Sequence, residues 1–447
     1  MGTRIFLNIR INSYIGLILF FCVLTRASFG FCQAVPHISI TSLQPVGSGA
    51  RAIGMGGAFI GIADDATAAS WNPAGLIQLK RSEISFVGDV ISIDHQDDQF
   101  SDKSDFAVNY FSFVYPAYLL KRNMVFSINY QNLYQMGSEG RINTTEIVQG
   151  TPWTDNNLTH YKKEGSLSAI SPAVAFQVNP SLTVGVTLNI WPKRLIAQNG
   201  WEQSLYWEND LISSVPTIPD SHSFLYVEDD YKLESEINYY IGFRLKLNHM
   251  VTLGAVYKSP LTAEFTRERE FDFENVLPDE FDLPKVDGEL YFPESYGMGI
   301  AARINDNLTL DFDIYYTEWD KYSIEFNYME SDPNMDDPII SENGESLQSI
   351  NYIRLGGEYL FIRPRYIIPF RFGIFYDPEP SQAHYKTVDW PNGCSVGTGV
   401  SFKRISMDCA VKYRKVQDNK RIKDPNLQII TTDTEELSLY FSIIYYL

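Results

Sequence analysis

The chain has 447 residues, of which 45% are hydrophobic and 14% aromatic, and its formal charge at pH 7 is −19. This acidity argues against nucleic acid as a partner, because binding a phosphate backbone relies on Lys and Arg. Length alone suggests about two or three domains, but a closed β architecture can be this long as one unit. Phe and Tyr occur 28 times each, a bias toward strand formers and membrane-interface residues.

Residues 1–34 are predicted to be a secretory signal peptide. Arg4 and Arg10 supply positive charge, and the apolar core at 15–24 is shorter than a membrane-spanning helix. Cleavage is expected after Ala34, with Gly30 as the alternative. No later segment has the long uncharged run of a transmembrane helix. The pattern leaves a periplasmic protein, a secreted protein or a membrane β-barrel.

Residues 35–80 are predicted to form a compact hatch, or plug, inside a container. Gly and Ala dominate 49–76, and small side chains let a backbone fold tightly and lie close to a wall. Two acids are expected to cap a short helix that ends at Trp71 or at Asn72-Pro73. The alternatives are a glycine-rich surface loop or a helix-pair contact. The candidate hatch residues are Gly54, Gly56, Gly57, Asp64, Asp65, Asn72, Pro73 and Ala74.

Residues 81–447 divide into fourteen segments in which apolar and polar residues alternate, as in strands with one apolar face. In 237–247, for example, Ile237, Tyr239 and Ile241 share one face. The predicted strands lie near 82–92, 106–117, 123–134, 165–178, 181–194, 234–247, 250–264, 289–304, 307–327, 347–361, 366–376, 394–402, 405–416 and 435–447.

The connections between these segments alternate between short and long. Asn179-Pro180, Asn248-His249 and Asn305-Asp306 are two-residue turns, whereas 195–233 and 265–288 are long connections. An outer-membrane barrel has short turns on one rim and long loops on the other, and a Greek-key sandwich has no reason to keep that order. The sequence therefore predicts an all-β fold, a transmembrane fourteen-stranded antiparallel barrel with the hatch in its lumen.

Charged residues on the polar face of the strands are the candidate ligand-binding groups of the lumen. Arg244, Arg354, Glu358 and Arg371 are expected to point inward, and Arg matches the geometry of a carboxylate headgroup. The alternative is that these groups form internal ion pairs that brace the barrel and anchor the hatch.

The long connections are rich in large apolar residues, which purely solvating loops do not need. Trp201, Trp207, Phe271 and Phe273 are therefore candidates for an apolar docking surface at the outer mouth. The alternative is that the loops pack on each other as a lid. Acidic residues in the same loops suggest contact with lipopolysaccharide through divalent ions.

Signatures of enzymes and cofactors are absent from the sequence. There is no His pair with zinc spacing, no nucleophile elbow and no phosphate loop, so neither a metal site nor a cofactor is expected. Ser381 and His384 lie close in sequence but lack a third partner. The register places Cys394 about 13 Å from Cys409 at ~3.3 Å per residue, which predicts two free thiols.

Three blocks of sequence resemble the FadL/TodX family of outer-membrane transport proteins. They are GARAIGMGGAFIGIADDATAASWNPAGL at 49–76, FPESYGMGIAARINDNLTLDFDIYYTEW at 292–319 and IRLGGEYLFIRPRYIIPFRFGIFYDPEPS at 353–381. The resemblance implies passive uptake of long-chain fatty acids or other hydrophobic compounds, a hatch that shifts, and lateral exit beside a kinked third strand. In 123–134, Asn129, Gln131 and Asn132 are candidates to interrupt that strand's pairing.

The expected protein is a monomer in the outer membrane of a Gram-negative bacterium, in contact with lipid and lipopolysaccharide. A FadL-like barrel that serves as a platform for a protein partner, in secretion or surface attachment, is the alternative. A membrane hydrolase is a distant third.

Overall fold

The computed structural model describes residues 47–95, 103–119, 121–147, 153–195, 199–214, 220–274, 285–327, 347–378, 380, 392–420 and 430–447. The predicted signal peptide and residues 35–46 lie outside these ranges. The strands are β1 (Glu83–His95), β2 (Lys103–Leu119), β3 (Arg122–Gln135), β4 (Ser138–Ile147), β5 (Trp153–Gln177), β6 (Leu182–Trp191), β7 (Gly200–Ser213), β8 (Ser221–Leu233), β9 (Glu236–Lys246), β10 (Val251–Lys258), β11 (Leu261–Glu274), β12 (Val286–Phe292), β13 (Ser295–Arg303), β14 (Leu308–Thr317), β15 (Ser323–Phe326), β16 (Ile350–Ile362), β17 (Ile367–Tyr376), β18 (Gly393–Ser401), β19 (Ile405–Lys420) and β20 (Ile430–Tyr446).

Fourteen of these strands close into an antiparallel barrel, which confirms the predicted fold class. The last strand pairs with the first, with Glu83 opposite Tyr446, so the sheet closes into a ring. Around the ring the order is β1, β2, β3, β5, β6, β9, β10, β13, β14, β16, β17, β18, β19 and β20. Among the described residues, no helix is both long and apolar enough to cross a membrane.

The other six strands continue ring strands beyond short breaks. They are β4, β7, β8, β11, β12 and β15. Pro192, Pro260 and Pro293 lie at three of the breaks, because proline cannot donate a hydrogen bond to the ladder. The six strands pair with one another and with the first half of β5. They lengthen one side of the barrel, away from the short turns.

The short turns are built by asparagine side chains. Asn179 Oδ1 accepts hydrogen bonds from the backbone N–H groups two and three residues ahead, at 2.8 and 2.9 Å. Asn248 and Asn305 repeat this arrangement at the next turns. This side-chain mimicry of a backbone turn is a known preference of Asn, and it explains why these positions predicted the turns correctly. We call this end of the barrel the short-turn end and the opposite end the loop end.

The outer face of the ring is apolar. Large side chains are exposed on strands around it, and their sequence neighbours point inward and are buried. In β9, Tyr239 and Phe243 are exposed whereas Asn238 and Tyr240 are buried. A soluble monomer rarely exposes contiguous apolar patches above a few hundred Å², so this belt fits contact with hydrocarbon. The predicted alternation is confirmed.

The prediction of long loops at 195–233 and 265–288 was wrong. β7 and β8 form a paired hairpin over most of the first range, and β11 continues to Glu274 in the second. The charged residues there indicated a loop. Trp201 and Leu205 nevertheless follow the two-residue period of a strand, and the backbone groups of these segments are hydrogen-bonded to the neighbouring strands. The free state of Cys394 and Cys409 is confirmed.

Residues 47–80 lie inside the ring; we call them the inner segment. It contains two short helices, α1 (Ala50–Gly54) and α2 (Ala68–Trp71), and a 3₁₀ helix at Pro73–Gln78. Nearly all of its side chains are buried. It packs with wall residues in a cluster that reaches Val114, Ala175 and Ala410 on well-separated strands.

Candidate ligand path

Glycines of the wall let the inner segment lie against the strands. A Cβ atom on Gly356 would stand 2.2 Å from the carbonyl oxygen of Met55, and one on Gly185 would stand 2.3 Å from the carbonyl carbon of Pro73. The same holds for Gly254 against the carbonyl oxygen of Ile60. Close approach of two backbones requires such positions. The small-residue pattern therefore has its counterpart in the wall.

Among the candidate hatch residues, the glycines contact the wall directly. Gly54 lies against Gly397, and Gly56 lies against Gly373. Gly56 N–H also donates to Ser395 Oγ at 2.8 Å. Gly56 and Gly57 have φ of 70° and 73°, a conformation that favours glycine over other residues.

The Asn-Pro-Ala triplet ties the inner segment to itself and to β9. Asn72 Nδ2 donates to the carbonyl oxygens of Ile60 (3.1 Å) and Phe243 (3.0 Å). Its Oδ1 accepts from Ala74 N–H at 3.2 Å, and Pro73 is the first residue of the 3₁₀ helix. The helix α2 ends at Trp71 as predicted, but Asp65 bonds the N–H (2.9 Å) and hydroxyl (2.6 Å) of Thr67 before that helix.

An ion network joins the inner segment to the wall at the short-turn end. Arg51 donates to both carboxylate oxygens of Glu358, at 3.0 and 2.8 Å, and pairs with Asp64. Arg371 donates to Glu358 and to Asp408, both at 2.7 Å. A cavity of about 360 Å³ opens beside this network and is lined by both of its arginines. Burial raises the pKa of the Asp65 carboxyl, against the opposing effect of Arg51.

The other two lumen arginines also have partners within the protein. Arg354 Nη2 donates to Asp377 Oδ1 at 2.9 Å, and Arg244 Nη2 donates to Gln78 Oε1 at 2.8 Å. Inward placement of all four candidate ligand residues is therefore observed, and every observed partner is intramolecular. This arrangement matches the bracing alternative; ligand contact by these residues stays a prediction.

A chain of polar side chains runs along the inner face of the neighbouring strands β3, β5, β6 and β9, next to the inner segment. Asn129 donates to the Ser171 carbonyl at 2.5 Å, and Ser171 Oγ donates to Asn189 Oδ1 at 2.7 Å. Asn189 Nδ2 then donates to Asn238 Oδ1 at 3.0 Å. We call these four residues the polar belt. Thr187, on the same strand as Asn189, donates to the Ala69 carbonyl, so the belt lies directly on the inner segment.

Beyond the belt, toward the loop end, the interior is apolar and aromatic. The sequence pattern did not predict an aromatic interior in this region. Tyr134 stacks on Phe292 with ring centroids 4.6 Å apart, and Trp201 stacks on Tyr231 at 4.5 Å. We call the buried side chains here the aromatic cluster: Trp191, Trp201, Tyr231, Phe265, Phe292 and Trp319 with their aliphatic neighbours. The sequence signal for them was their position on the alternating face of the strands that points inward.

The ladder between β2 and β3 ends halfway along the barrel. Pairing runs from Leu119 opposite Arg122 to Tyr110 opposite Gln131 and goes no further in the described residues. Beyond that level β2 pairs only with β1 and β3 only with β5. We call this unpaired boundary the seam. Of the three residues expected to interrupt this strand's pairing, Asn129 is paired on both sides. The ladder to β2 ends after Gln131, and Asn132 pairs with β5 but not with β2 in the described residues.

Two bulges lie at the same level as the end of that ladder. The register of β1 on β2 skips Asn109, and the register of β3 on β5 skips Leu133. A bulge increases local twist and disrupts pairing. Irregular backbone on both sides of the seam therefore accounts for the separation of β2 from β3.

The candidate docking residues lie on strands and not on loops. Trp201 is buried in the aromatic cluster, which corrects its assignment to an exposed surface, while Trp207 on β7 is half-buried. Phe271 and Phe273 are paired in the β8–β11 ladder, opposite Val227 and Leu225. Ser381 and His384 lie outside the described residues.

One group of possible metal ligands was missed because it forms across a hairpin. Glu208 and Asp210 on β7 and His222 on β8 place one ligand atom each within 4.8 Å of the others. His222 Nδ1 is 2.8 Å from Asp210 Oδ1. Sequence spacing cannot show such a cross-strand group.

Comparison with known proteins gives one family for almost the whole chain. The profile of the family described as "Outer membrane protein transport protein (OMPP1/FadL/TodX)" matches residues 42–440. No curated protein matches the sequence.

Solved structures share the fold at low sequence identity. A Pseudomonas aeruginosa FadL homologue is 13% identical, with a TM-score of 0.58 over 90% of this chain and 98% of its own. The Pseudomonas putida toluene transporter TodX is 15% identical, with a TM-score of 0.51 over 89% and 98%. The Ralstonia pickettii toluene transporter TbuX is 14% identical, with a TM-score of 0.50 over 90% and 99%. The profile match over most of its length places the chain in the OMPP1/FadL/TodX family of outer membrane transport proteins.

Proposed function

We propose that this protein is an outer-membrane channel for passive uptake of hydrophobic small molecules, long-chain fatty acids or aromatic hydrocarbons among them. The observation that carries the proposal is the position of the aromatic cluster. Its side chains are buried at the loop end, on the end of ring strand β6 and mostly on the extension strands β7, β8, β11 and β12. The seam in the wall lies on the loop-end side of the polar belt. The family and the toluene transporters of like fold support it.

Desolvation explains why an apolar solute would use an apolar path through the barrel. An apolar solute gains about 25 cal/mol for each Å² of apolar surface removed from water, and a water-filled pore gives it nothing. Aromatic walls offer that environment at the loop end of the barrel. Because the final destination is also apolar, passage down a concentration gradient needs no energy source.

The inner segment obstructs a straight route to the short-turn end. It packs against the wall in that half of the ring and is held by Arg51, Asn72 and backbone contacts to wall glycines. The seam offers a sideways route from the aromatic cluster into hydrocarbon. We therefore propose that the inner segment acts as the hatch, which shifts when a ligand arrives, and that the ligand leaves laterally between β2 and β3.

Orientation and surroundings follow from the same proposal. The short-turn end faces the periplasm and the extension of β7, β8 and β11 faces outward, in contact with lipopolysaccharide. The protein works as a monomer in the outer membrane of a Gram-negative bacterium, with lipid around the apolar outer face of the ring. It uses no cofactor and performs no covalent chemistry.

Displacement of a fluorescent fatty acid tests the proposal. Purified protein in nanodiscs is titrated with the probe and then with toluene, a long-chain fatty acid and a hydrophilic control such as glucose. We expect the hydrophobic competitors to displace the probe and glucose to leave it bound. No binding or displacement by any hydrophobic compound would favour the alternative of a platform for a protein partner, which the long paired extension at the loop end also suits.

A reversible cross-link tests the hatch. Arg51 and Glu358 meet between the inner segment and β16 at 2.8 Å, so Arg51→Cys with Glu358→Cys, in a Cys394→Ser, Cys409→Ser background, should be joined by a short, reducible bifunctional thiol reagent. Uptake of a fluorescent fatty acid into proteoliposomes should fall in the cross-linked protein and return on reduction. Equal uptake in both states would exclude movement of the inner segment.

A further inference from the structure

Four polar side chains beside the seam are not satisfied by the protein. Gln131 is fully buried, and neither of its amide atoms has a hydrogen-bond partner among the described residues. Asp89 is 1% exposed and its Oδ1 also has none. The Oδ1 atoms of Asn109 and Asn132 are in the same state. We call these four residues the seam cluster.

The cluster is confined to the seam. Gln131 is the last residue of β3 to pair with β2, Asn132 follows it, and Asn109 is the bulged residue of β2. Asp89 on β1 pairs with Ala107 on β2, two residues along β1 from the pair Val87–Tyr110. All four therefore lie within about two residues of the level at which the wall divides, roughly 7 Å along the strands.

The neighbouring polar belt is hydrogen-bonded. Asn129, Asn189 and Asn238 each have partners, at distances of 2.5 to 3.1 Å. Single buried atoms without a partner also occur elsewhere in the described interior, for example on Asp311, Asp313 and Arg354, but Gln131 is the one described side chain with two such atoms. Leaving a buried polar group unpaired costs about 1–3 kcal/mol, and native proteins tolerate few such groups. A concentration of them at the lateral opening points to a partner that is brought there by the transported molecule.

The donors and acceptors define the chemistry of that partner. Asp89, Asn109 and Asn132 offer acceptor oxygens, and Gln131 offers one acceptor and an NH₂ donor group. Gln135, further along β3, adds a second NH₂ group without a partner in the described residues. A hydrocarbon would leave all of them unpaired, and a carboxylate would meet the carboxyl of Asp89. Glu436, whose charge acts on Asp89, is paired with Arg414 at 2.7 Å. A neutral hydroxyl, which donates once and accepts, fits the set.

We propose that the seam cluster binds the hydroxyl group of an otherwise apolar ligand, so that long-chain alcohols and alkylphenols are preferred over hydrocarbons of the same shape. This inference rests on the proposed function, since the ligand must first enter the barrel. The ligand's hydroxyl donates to Asp89 or an asparagine oxygen and accepts from Gln131 Nε2. Its apolar part remains in the aromatic cluster until the seam releases it.

The test compares 4-propylphenol with propylbenzene, which differ only in the hydroxyl. Binding to the full chain in nanodiscs is followed by Trp fluorescence for the wild type, Gln131→Leu, Asn109→Leu and the control Gln203→Leu. Gln203 is a buried glutamine on β7 away from the seam. Circular dichroism and heat-modifiable migration in gels show that each variant is folded.

We expect the wild type to bind the phenol about three- to tenfold more tightly than propylbenzene, the range that one or two neutral hydrogen bonds provide. Gln131→Leu and Asn109→Leu should each reduce that preference by weakening the phenol alone, and Gln203→Leu should retain it. An equal effect on both ligands, or none, would overturn the inference while leaving the transport proposal intact. Failure of the wild type to bind either ligand would overturn both.

Discussion

Arg51 of the inner segment and Glu358 of β16 form a two-pronged ion pair, with Nε–Oε2 and Nη2–Oε1 distances of 3.0 and 2.8 Å. Glu358 is also held by Arg371 from the wall. The carboxylate therefore belongs to both the wall and the segment. Removing Arg51 leaves Glu358 with Arg371 and leaves buried Asp65 with the two hydrogen bonds from Thr67. Both buried acids therefore keep a partner when the anchor is lost.

We expect Arg51→Met to loosen the inner segment without unfolding the barrel. Hydrogen bonds to charged groups are worth about 1.5–3 kcal/mol, so the free energy of unfolding should fall by about 1–3 kcal/mol. Urea titration in detergent measures this change, and leakage of a small hydrophilic dye from proteoliposomes measures the loosening. Arg303→Met is the control, because Arg303 and Asp306 form an exposed pair at 3.4 Å whose loss should cost under about 1 kcal/mol. The same decrease in both variants would contradict an anchoring role for Arg51.

Gly356→Val should displace the inner segment from β16. A Cβ atom there would stand 2.2 Å from the carbonyl oxygen of Met55, and a clash between backbones cannot be relieved by rotating a side chain. Limited proteolysis should then cut the inner segment faster than in the wild type. Leu355→Val, on the exposed face of the same strand, should leave the cleavage rate unchanged. Full protection of the segment in Gly356→Val would show that it does not depend on this contact.

Trp191→Ala should weaken the binding of hydrophobic ligands. Trp191 is 1% exposed within the aromatic cluster and contacts Tyr134 at 6.0 Å between ring centroids. Removing a buried aromatic side chain from a binding surface costs about 2 kcal/mol or more at a hot spot, which corresponds to at least about tenfold in Kd. Trp207→Ala changes a half-buried residue outside that cluster and should alter Kd by less than about threefold. Equal loss in both would place the ligand elsewhere.

Oxidation should not join Cys394 to Cys409. Their strands are paired, but Thr398 and not Cys394 lies opposite Cys409, and a disulfide needs Cα atoms within about 7 Å. After treatment with copper phenanthroline, thiol titration of the unfolded monomer should show no intramolecular bond between them. Recovery of a Cys394–Cys409 peptide by mass spectrometry would mean that the register of β18 on β19 is different.

The ring strands could be predicted because the alternation of apolar and polar residues is visible within each strand. The alternation in β9 and the Asn residues at the short turns act within a few residues, so no distant information was required. The extension was missed because charged residues such as Glu202 and Asp210 occur in β7, and exposed strands tolerate charges that a loop also carries.

The partners of the lumen charges depend on contacts that sequence does not display. Alternation placed Arg371 inside, yet its partners lie 13 and 37 residues away, on the neighbouring strand β16 and on β19 two strands along. Arg51 meets Glu358 across 307 residues. Predicting the seam would require the registers of two strand pairs. One is the β1–β2 register, which shows the bulge at Asn109, and the other is the β2–β3 register, which shows where that ladder ends.

Blocking the seam measures lateral exit most directly. Ala107 pairs with Asp89 beside the opening, so Ala107→Trp should fill it, whereas Ala107→Ser should not. The measurement is the initial rate at which a fluorescent fatty acid enters proteoliposomes. We predict a loss of about tenfold or more in Ala107→Trp, wild-type rates in Ala107→Ser and unchanged ligand affinity in both. Wild-type uptake by folded Ala107→Trp protein would contradict lateral exit through the β2–β3 seam.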